Sequence, residues 1–88
     1  MFAALGHPLR LVILRTLAAS DEPLSPVAID RTMGESSAGL PNLSYHVRQL
    51  KTAGLVRQRR TAARRGAIEH YFELTPLGTR AAKIAESS

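Results

Sequence analysis

Cysteine is absent from these 88 residues, and so is tryptophan. The first absence excludes disulfides and thiolate metal sites and fits a reducing compartment, so a cytoplasmic location is expected. Two Phe and two Tyr are the only aromatics, which leaves the core to aliphatic side chains. Such a core is thin, and domains of this size often gain stability by associating, so a homodimer is expected. No run approaches 18 consecutive apolar residues, and the N-terminus lacks a basic region ahead of an apolar one. Neither a membrane span nor an export signal is expected. The length suits one domain over 1–88, with no room for a second core.

Acidic residues are also missing over a long internal stretch. Between Ser36 and Ile68 there is none, while Arg48, Lys51, Arg57, Arg59, Arg60, Arg64 and Arg65 all fall there. The chain as a whole carries 12 Lys and Arg against 7 Asp and Glu, a net charge of +5. Positive charge gathered in this way points to a polyanion partner; the alternative is a solvated basic surface.

Apolar spacing gives the elements. Leu5 to Ala19 reads as a helix, with Pro8 in an early position and Leu5, Leu9, Ile13, Leu14 and Leu17 as its stripe, widened by Val12. Asp21, Glu22 and Pro23 break it. A short extended piece at Leu24 leads to Ser25 as N-cap and Pro26 at the first position of a helix over 26–33 that buries Ile29 and Met33. Residues 34–39 form a turn, and Pro41 opens a third helix running to about Ala53, with Gly54 after its end. Val56 to Thr61 and Ala67 to Leu74 read as antiparallel strands around a loop at 63–66, where Gly66 takes a positive φ. In the second strand Ile68, His70, Phe72 and Leu74 should face inward. Thr75 and Pro76 start a last helix of about ten residues that buries Leu77, Ala81 and Ile84. The simplest architecture is mainly α with a β-hairpin: a winged helix-turn-helix with a three-helix core, a β-wing and a C-terminal helix.

The third helix is the most informative segment. Leu43, Val47 and Leu50 stack on one face, and Asn42, Tyr45, Arg48 and Gln49 lie opposite. A helix of this kind fits the major groove of B-DNA and reads base edges from its N-terminal half. Asn42, Tyr45 and Gln49 are the candidates near bases, Arg48 for base or phosphate, and Ser44 for phosphate. Lys51 either meets a phosphate or complements the negative end of its own helix. In the following ribbon, strict alternation sends Arg57 and Arg59 to one face and Arg60 to the other. Arg64 and Arg65 at the tip suit the minor groove or flanking phosphates. A surface for protein or structured RNA is the alternative, and it would call for an apolar outer face on this helix.

The three histidines do not make a catalytic or metal site. His7 stands at a helix start, while His46 and His70 read as buried or half-buried side chains with one hydrogen bond each. Their separations match no ligand motif. No nucleophile arrangement and no phosphate-binding glycine loop is present, so no enzyme activity and no cofactor is expected.

Ala4 to Arg10 followed by Ile13, Leu14 and Leu17 resembles the first helix of ArsR-type winged-helix regulators. Ser44-Tyr-His-Val-Arg-Gln-Leu50 followed by Ala53-Gly-Leu-Val56 resembles their recognition helix and entry to the wing, and Arg65 to Phe72 is similar to the wing of a bacterial subgroup. The resemblance runs from about Ala4 to Gly78 and implies a dimeric repressor on a palindromic operator. The turn at 34–40 is longer than the four-residue turn of the simplest helix-turn-helix. The cysteines or paired His/Asp clusters of metal-sensing members are missing, so no metal and no effector is implied. The dimer is expected to use the first and last helices through Leu9, Val12 and Ile84, unless these cover the chain's own hairpin.

Overall fold

The computed structural model describes residues 7–87. The elements are α1 (Pro8–Ala18), α2 (Pro26–Met33), a 3-10 turn (Gly34–Ser36), α3 (Leu40–Thr52), β1 (Val56–Arg64), β2 (Ala67–Leu74) and α4 (Pro76–Ser87). Together they form a winged helix-turn-helix.

α1 starts later than the apolar spacing predicts. His7 has extended backbone and serves as the cap, its Nδ1 accepting a hydrogen bond from the Leu9 amide at 3.1 Å. Pro8, which has no amide hydrogen to leave unpaired, fills the first turn. Leu5 lies outside the described residues. Leu9, Ile13, Leu14 and Leu17 are buried along the expected face. The extended piece after α1 is a single antiparallel bridge: Leu24 and Phe72 exchange both backbone hydrogen bonds, at 2.9 and 2.8 Å. That bridge joins the wing to the helical core.

α2 has the expected bounds, with Ser25 accepting from the Ala28 amide at 3.2 Å. The longer turn to α3 is partly self-supporting, because the Ser37 hydroxyl donates to the Asp30 carboxylate and accepts from the Gly39 amide. α3 buries Leu43, His46, Val47 and Leu50. It ends in paired bonds from Gly54 to the Lys51 carbonyl and from Leu55 to the Leu50 carbonyl, both 3.0 Å, the pattern of a Schellman motif.

The core lies where α1, α2 and α3 meet, closed by Leu55, Val56 and Phe72 from the foot of the wing and by Ala81 and Ala82 from α4. α4 packs along α1, and Arg15 donates to the Ala85 carbonyl at 3.1 Å. Its buried side differs from expectation. Ala81, Ala82 and Ala85 are buried and Leu77 is partly so, whereas Ile84 is 56% exposed. Small residues let α4 come close. At Gly78 an added Cβ would lie 1.9 Å from the Leu55 carbonyl oxygen, so any side chain there forces apart α4 and the junction of α3 with β1. Thr75 fastens the same junction, its hydroxyl donating to the Gly54 carbonyl at 2.6 Å and accepting from the Gly78 amide at 3.0 Å.

Candidate nucleic-acid interface

α3 presents its polar side outward. At 100° per residue, Tyr45, Arg48 and Thr52 point most directly away from the core stripe. Tyr45 is 47% exposed and Arg48 and Thr52 are exposed. Asn42 and Gln49 occupy one flank, Asn42 exposed and Gln49 half-buried. Ser44 and Lys51 occupy the other, where with Arg48 they line a cleft of about 460 Å³ between α3 and the wing. Thr52 is an addition to the sequence-derived set; its hydroxyl bonds back to the Arg48 carbonyl at 3.1 Å. The i+7 spacing from Tyr45 was the available signal.

The wing departs from simple alternation. β1 and β2 pair from Val56 with Leu74 to Arg64 with Ala67, but the register shifts between Gln58 and Arg60. Arg59 is the extra residue of a β-bulge. Past the bulge the faces exchange, so Arg57, Arg60 and Arg64 share one face opposite Glu73, Tyr71 and Ala67. This corrects the expectation that Arg57 and Arg59 share a face with Arg60 opposite. The loop is also tighter than expected: the strands run to Arg64 and Ala67, and the turn is Arg65-Gly66. Both have positive φ, 51° and 81°, the signature of a type I′ turn. Arg64 is therefore a strand residue, and Arg65 alone of the pair is at the tip.

Sharing a face changes what these arginines can offer. Arg57 Nε lies 2.7 Å from a Glu73 carboxylate oxygen. The Arg60 guanidinium stacks 4.0 Å from the centre of the Tyr71 ring. Arg64 reaches Glu69 at 3.4 Å, and the Tyr71 hydroxyl donates to the same carboxylate oxygen at 2.7 Å. That hydroxyl, and then Arg64, hold the Glu69 carboxyl below its ordinary pKa. Arg59 and Arg65 have no such partner among the described residues.

On the other face of the wing only the foot is covered. Phe72 is buried and Leu74 half-buried, but His70 is exposed and Ile68 is 66% exposed. Ile68 and His70 do share the face of Phe72, toward α3, but the expectation that His70 is at least half-buried is overturned: the hairpin extends beyond the reach of the helical core. His70 Nδ1 instead lies 2.9 Å from Gln58 Oε1, across the strands. Both side chains line the cleft opposite α3.

Behind α3, His46 is buried as expected. Its Nδ1 accepts from Arg10 Nε at 3.0 Å, and its ring lies 4.3 Å from that of His7 and 5.2 Å from that of Tyr45, centre to centre. Burial first, then the neighbouring His7 and Arg10, lower the His46 pKa from its ordinary 6.5. The imidazole is neutral at pH 7, as an acceptor from Arg10 requires. Among the described residues no three His, Cys, Asp or Glu are grouped to hold a metal ion, and no helix is long and apolar enough to cross a membrane.

The profile of the helix-turn-helix domain family matches residues 5–59, more than half of the chain. The chain belongs to the helix-turn-helix domain family. Among solved structures, this helix-turn-helix chain is similar to Bacillus subtilis PadR in complex with operator DNA. The TM-score is 0.77 at 20% identity, covering 89% of this chain and 46% of that one. It is also similar to a PadR family transcription regulator from hypervirulent Clostridium difficile, with a TM-score of 0.75 at 14% identity, covering 92% and 85% of the two chains. At these identities the likeness is one of fold, and the chain spans just under half the length of the Bacillus protein. No curated protein matches the chain.

Proposed function

We propose that this chain is a sequence-specific DNA-binding transcriptional regulator rather than an enzyme. In this reading α3 enters the major groove and the wing lies on the adjoining backbone or minor groove. The observation that carries it is the exposed polar side of α3, where Tyr45 and Arg48 point away from the core. It lies in a stretch with no acidic residue between Ser36 and Ile68, and the wing that follows adds Arg59 and Arg65, which have no carboxylate partner among the described residues. Family membership and the likeness to a protein solved on its operator support the same reading.

The proposed roles follow the geometry. Tyr45, Arg48 and Asn42 are assigned to base edges, with Gln49 at the rim of that contact because it is half-buried. Ser44, Lys51, Arg59 and Arg65 are assigned to phosphates. Arg57, Arg60 and Arg64 contribute less, since each has an intramolecular partner.

The finer reading is a cytoplasmic repressor of the ArsR-type group that acts as a homodimer on a palindromic operator. The motifs at Ser44 to Leu50 and Arg65 to Phe72 support that group. Exposed Ile84 and half-buried Val12 support a dimer surface on α4 and α1. Leu9 is no longer part of it, being consumed in the core.

Selection of bound duplexes from a random pool tests all of this at once. A palindromic consensus with half-sites about one helical turn apart is expected. Recovery of unselected sequence would overturn the specific reading, and a single asymmetric half-site would overturn the dimer.

A further inference from the structure

We propose that His7, Arg10 and His46 form a proton-sensitive catch behind α3: with His46 neutral it holds α3 and Tyr45 in place for DNA, and a proton on His46 opens it and weakens binding. The loss of affinity rests on the DNA-binding reading above; the catch itself does not. His46 is 5% exposed and lies in the stripe of Leu43, Val47 and Leu50. Its Nδ1 accepts from Arg10 Nε at 3.0 Å. A guanidinium has donors and no acceptor, and it keeps its charge in proteins. The bond therefore needs a lone pair on Nδ1, which a protonated imidazole lacks.

Nothing around the ring neutralises an added charge. The titratable groups that face it are His7 and Arg10 from the start of α1 and Tyr45 from α3 itself. No group of α2 or the wing is among those that shift it, and no carboxylate pairs with it among the described residues. The His7 ring lies 4.3 Å away, its own Nδ1 taken by the Leu9 amide. Both neutral rings thus turn an N–H at Nε2 to their surroundings, which suits neither to a metal ion. A proton on His46 makes Nδ1 a donor aimed at Arg10 and puts two cations together in a buried place. One of them has to move. Tyr45 is the next residue, its ring edge-on to that of His46 at 5.2 Å and 74°, so displacement of His46 displaces the exposed aromatic assigned above to base edges. Burial, His7 and Arg10 set this step below pH 6.5. Its sign is unusual. A proton gained by a DNA-binding chain ordinarily adds to the attraction for phosphates, as one on exposed His70 would; one on His46 subtracts.

The test takes the full chain from about pH 7.5 to about pH 5.5, the range in which histidine changes charge. In fluorescence anisotropy on a selected duplex, wild-type affinity is expected to fall with pH, by up to about tenfold per pH unit, the limit for one proton. His46→Gln, which keeps an acceptor for Arg10 but takes no proton, should lose that fall, and His70→Gln should keep it. In NMR spectra of the free wild-type chain, the amides of Tyr45 and Arg48 should follow the titration of the His46 ring. Added duplex should move that titration to lower pH, as reciprocity requires. The same slope in wild type and His46→Gln, wild-type affinity that rises as pH falls, or amides that ignore the His46 ring would overturn the catch. So would a fall that tracks loss of helical circular dichroism, since unfolding then accounts for it. A chain that binds no duplex at any pH, with those amides still following the ring, would support the catch and remove the DNA reading instead.

Discussion

α3 and the wing are both net positive, but they hold that charge differently. On α3 the cations Arg48 and Lys51 stand on the exposed side of a helix with no carboxylate beside them among the described residues. On the wing, Arg57, Arg60 and Arg64 are lined up by the bulge against Glu73, Tyr71 and Glu69. These exposed pairs add little to stability. Their effect is on availability: seen from a phosphate, Arg57 with Glu73 is close to neutral. The wing has five arginines against the two cations of α3, yet the charge it can offer is concentrated in Arg59 and Arg65.

The largest expected effect breaks the joint between the two surfaces. Gly78→Ala puts a methyl group into the Leu55 carbonyl, backbone that cannot move without displacing the α3–β1 junction. A loss of about 3 kcal/mol or more in urea unfolding is expected, the upper range for overpacking. A loss below about 1 kcal/mol would show that α4 can retreat and that the joint is soft.

Next comes the contrast in availability. Arg48→Ala should cost about 1–3 kcal/mol in affinity for a selected duplex and relax the preference at one base position. Arg57→Ala should cost clearly less in the same titration, because Glu73 already holds that guanidinium. Equal losses would mean that the cross-strand pair opens freely on DNA and that the distinction has no consequence.

A smaller effect is expected at the tip. Arg65 is a non-glycine residue at φ 51°, in a conformation that Asn tolerates better. Arg65→Asn should stabilise the hairpin while removing one phosphate contact, lowering the slope of log K against log salt by about 0.9. An unchanged slope would take the wing tip out of the interface.

The subtlest effect concerns the back of α3. His46 titrates below its ordinary 6.5 in the folded chain, so between that lowered value and 6.5 the unfolded chain binds more protons. Stability from neutral His46 is thus full above about pH 6.5 and is lost as pH falls toward the folded-state value. His46→Gln, which keeps an acceptor for Arg10, should flatten the dependence of the urea midpoint on pH in that range. The same slope in wild type and variant would assign it to other groups. Glu69 works in a separate window, since its carboxyl is lowered from 4.5 and its contribution is lost only as pH falls below that.

Much of the helical frame was legible in residue order. Pro8, Pro26 and Pro41 mark helix starts, Ser25 is a side-chain cap that names itself, and the stripe of Leu43, Val47 and Leu50 has a period that only a helix explains. Tyr45 and Arg48 follow from that stripe as its opposite side. The wing was legible as a hairpin but not in detail. Strict period two assigns Ile68 and His70 inward without saying how far the core extends, and it has no means of placing the bulge at Arg59. Ile84 fails for a related reason: an i+7 partner of Leu77 looks buried until α4 is seen to pack through Ala81, Ala82 and Ala85.

Residue order alone determined the elements, their caps, the polar side of α3 and the basic stretch, because those depend on neighbours within about one helical turn or one strand pair. Tertiary structure decided which arginines are spoken for, where the wing leaves the core, and why Gly78 can bear no side chain. Each of those depends on atoms that sit far apart along the chain, as Leu55 and Gly78 or Arg57 and Glu73 do, and meet only when the fold closes.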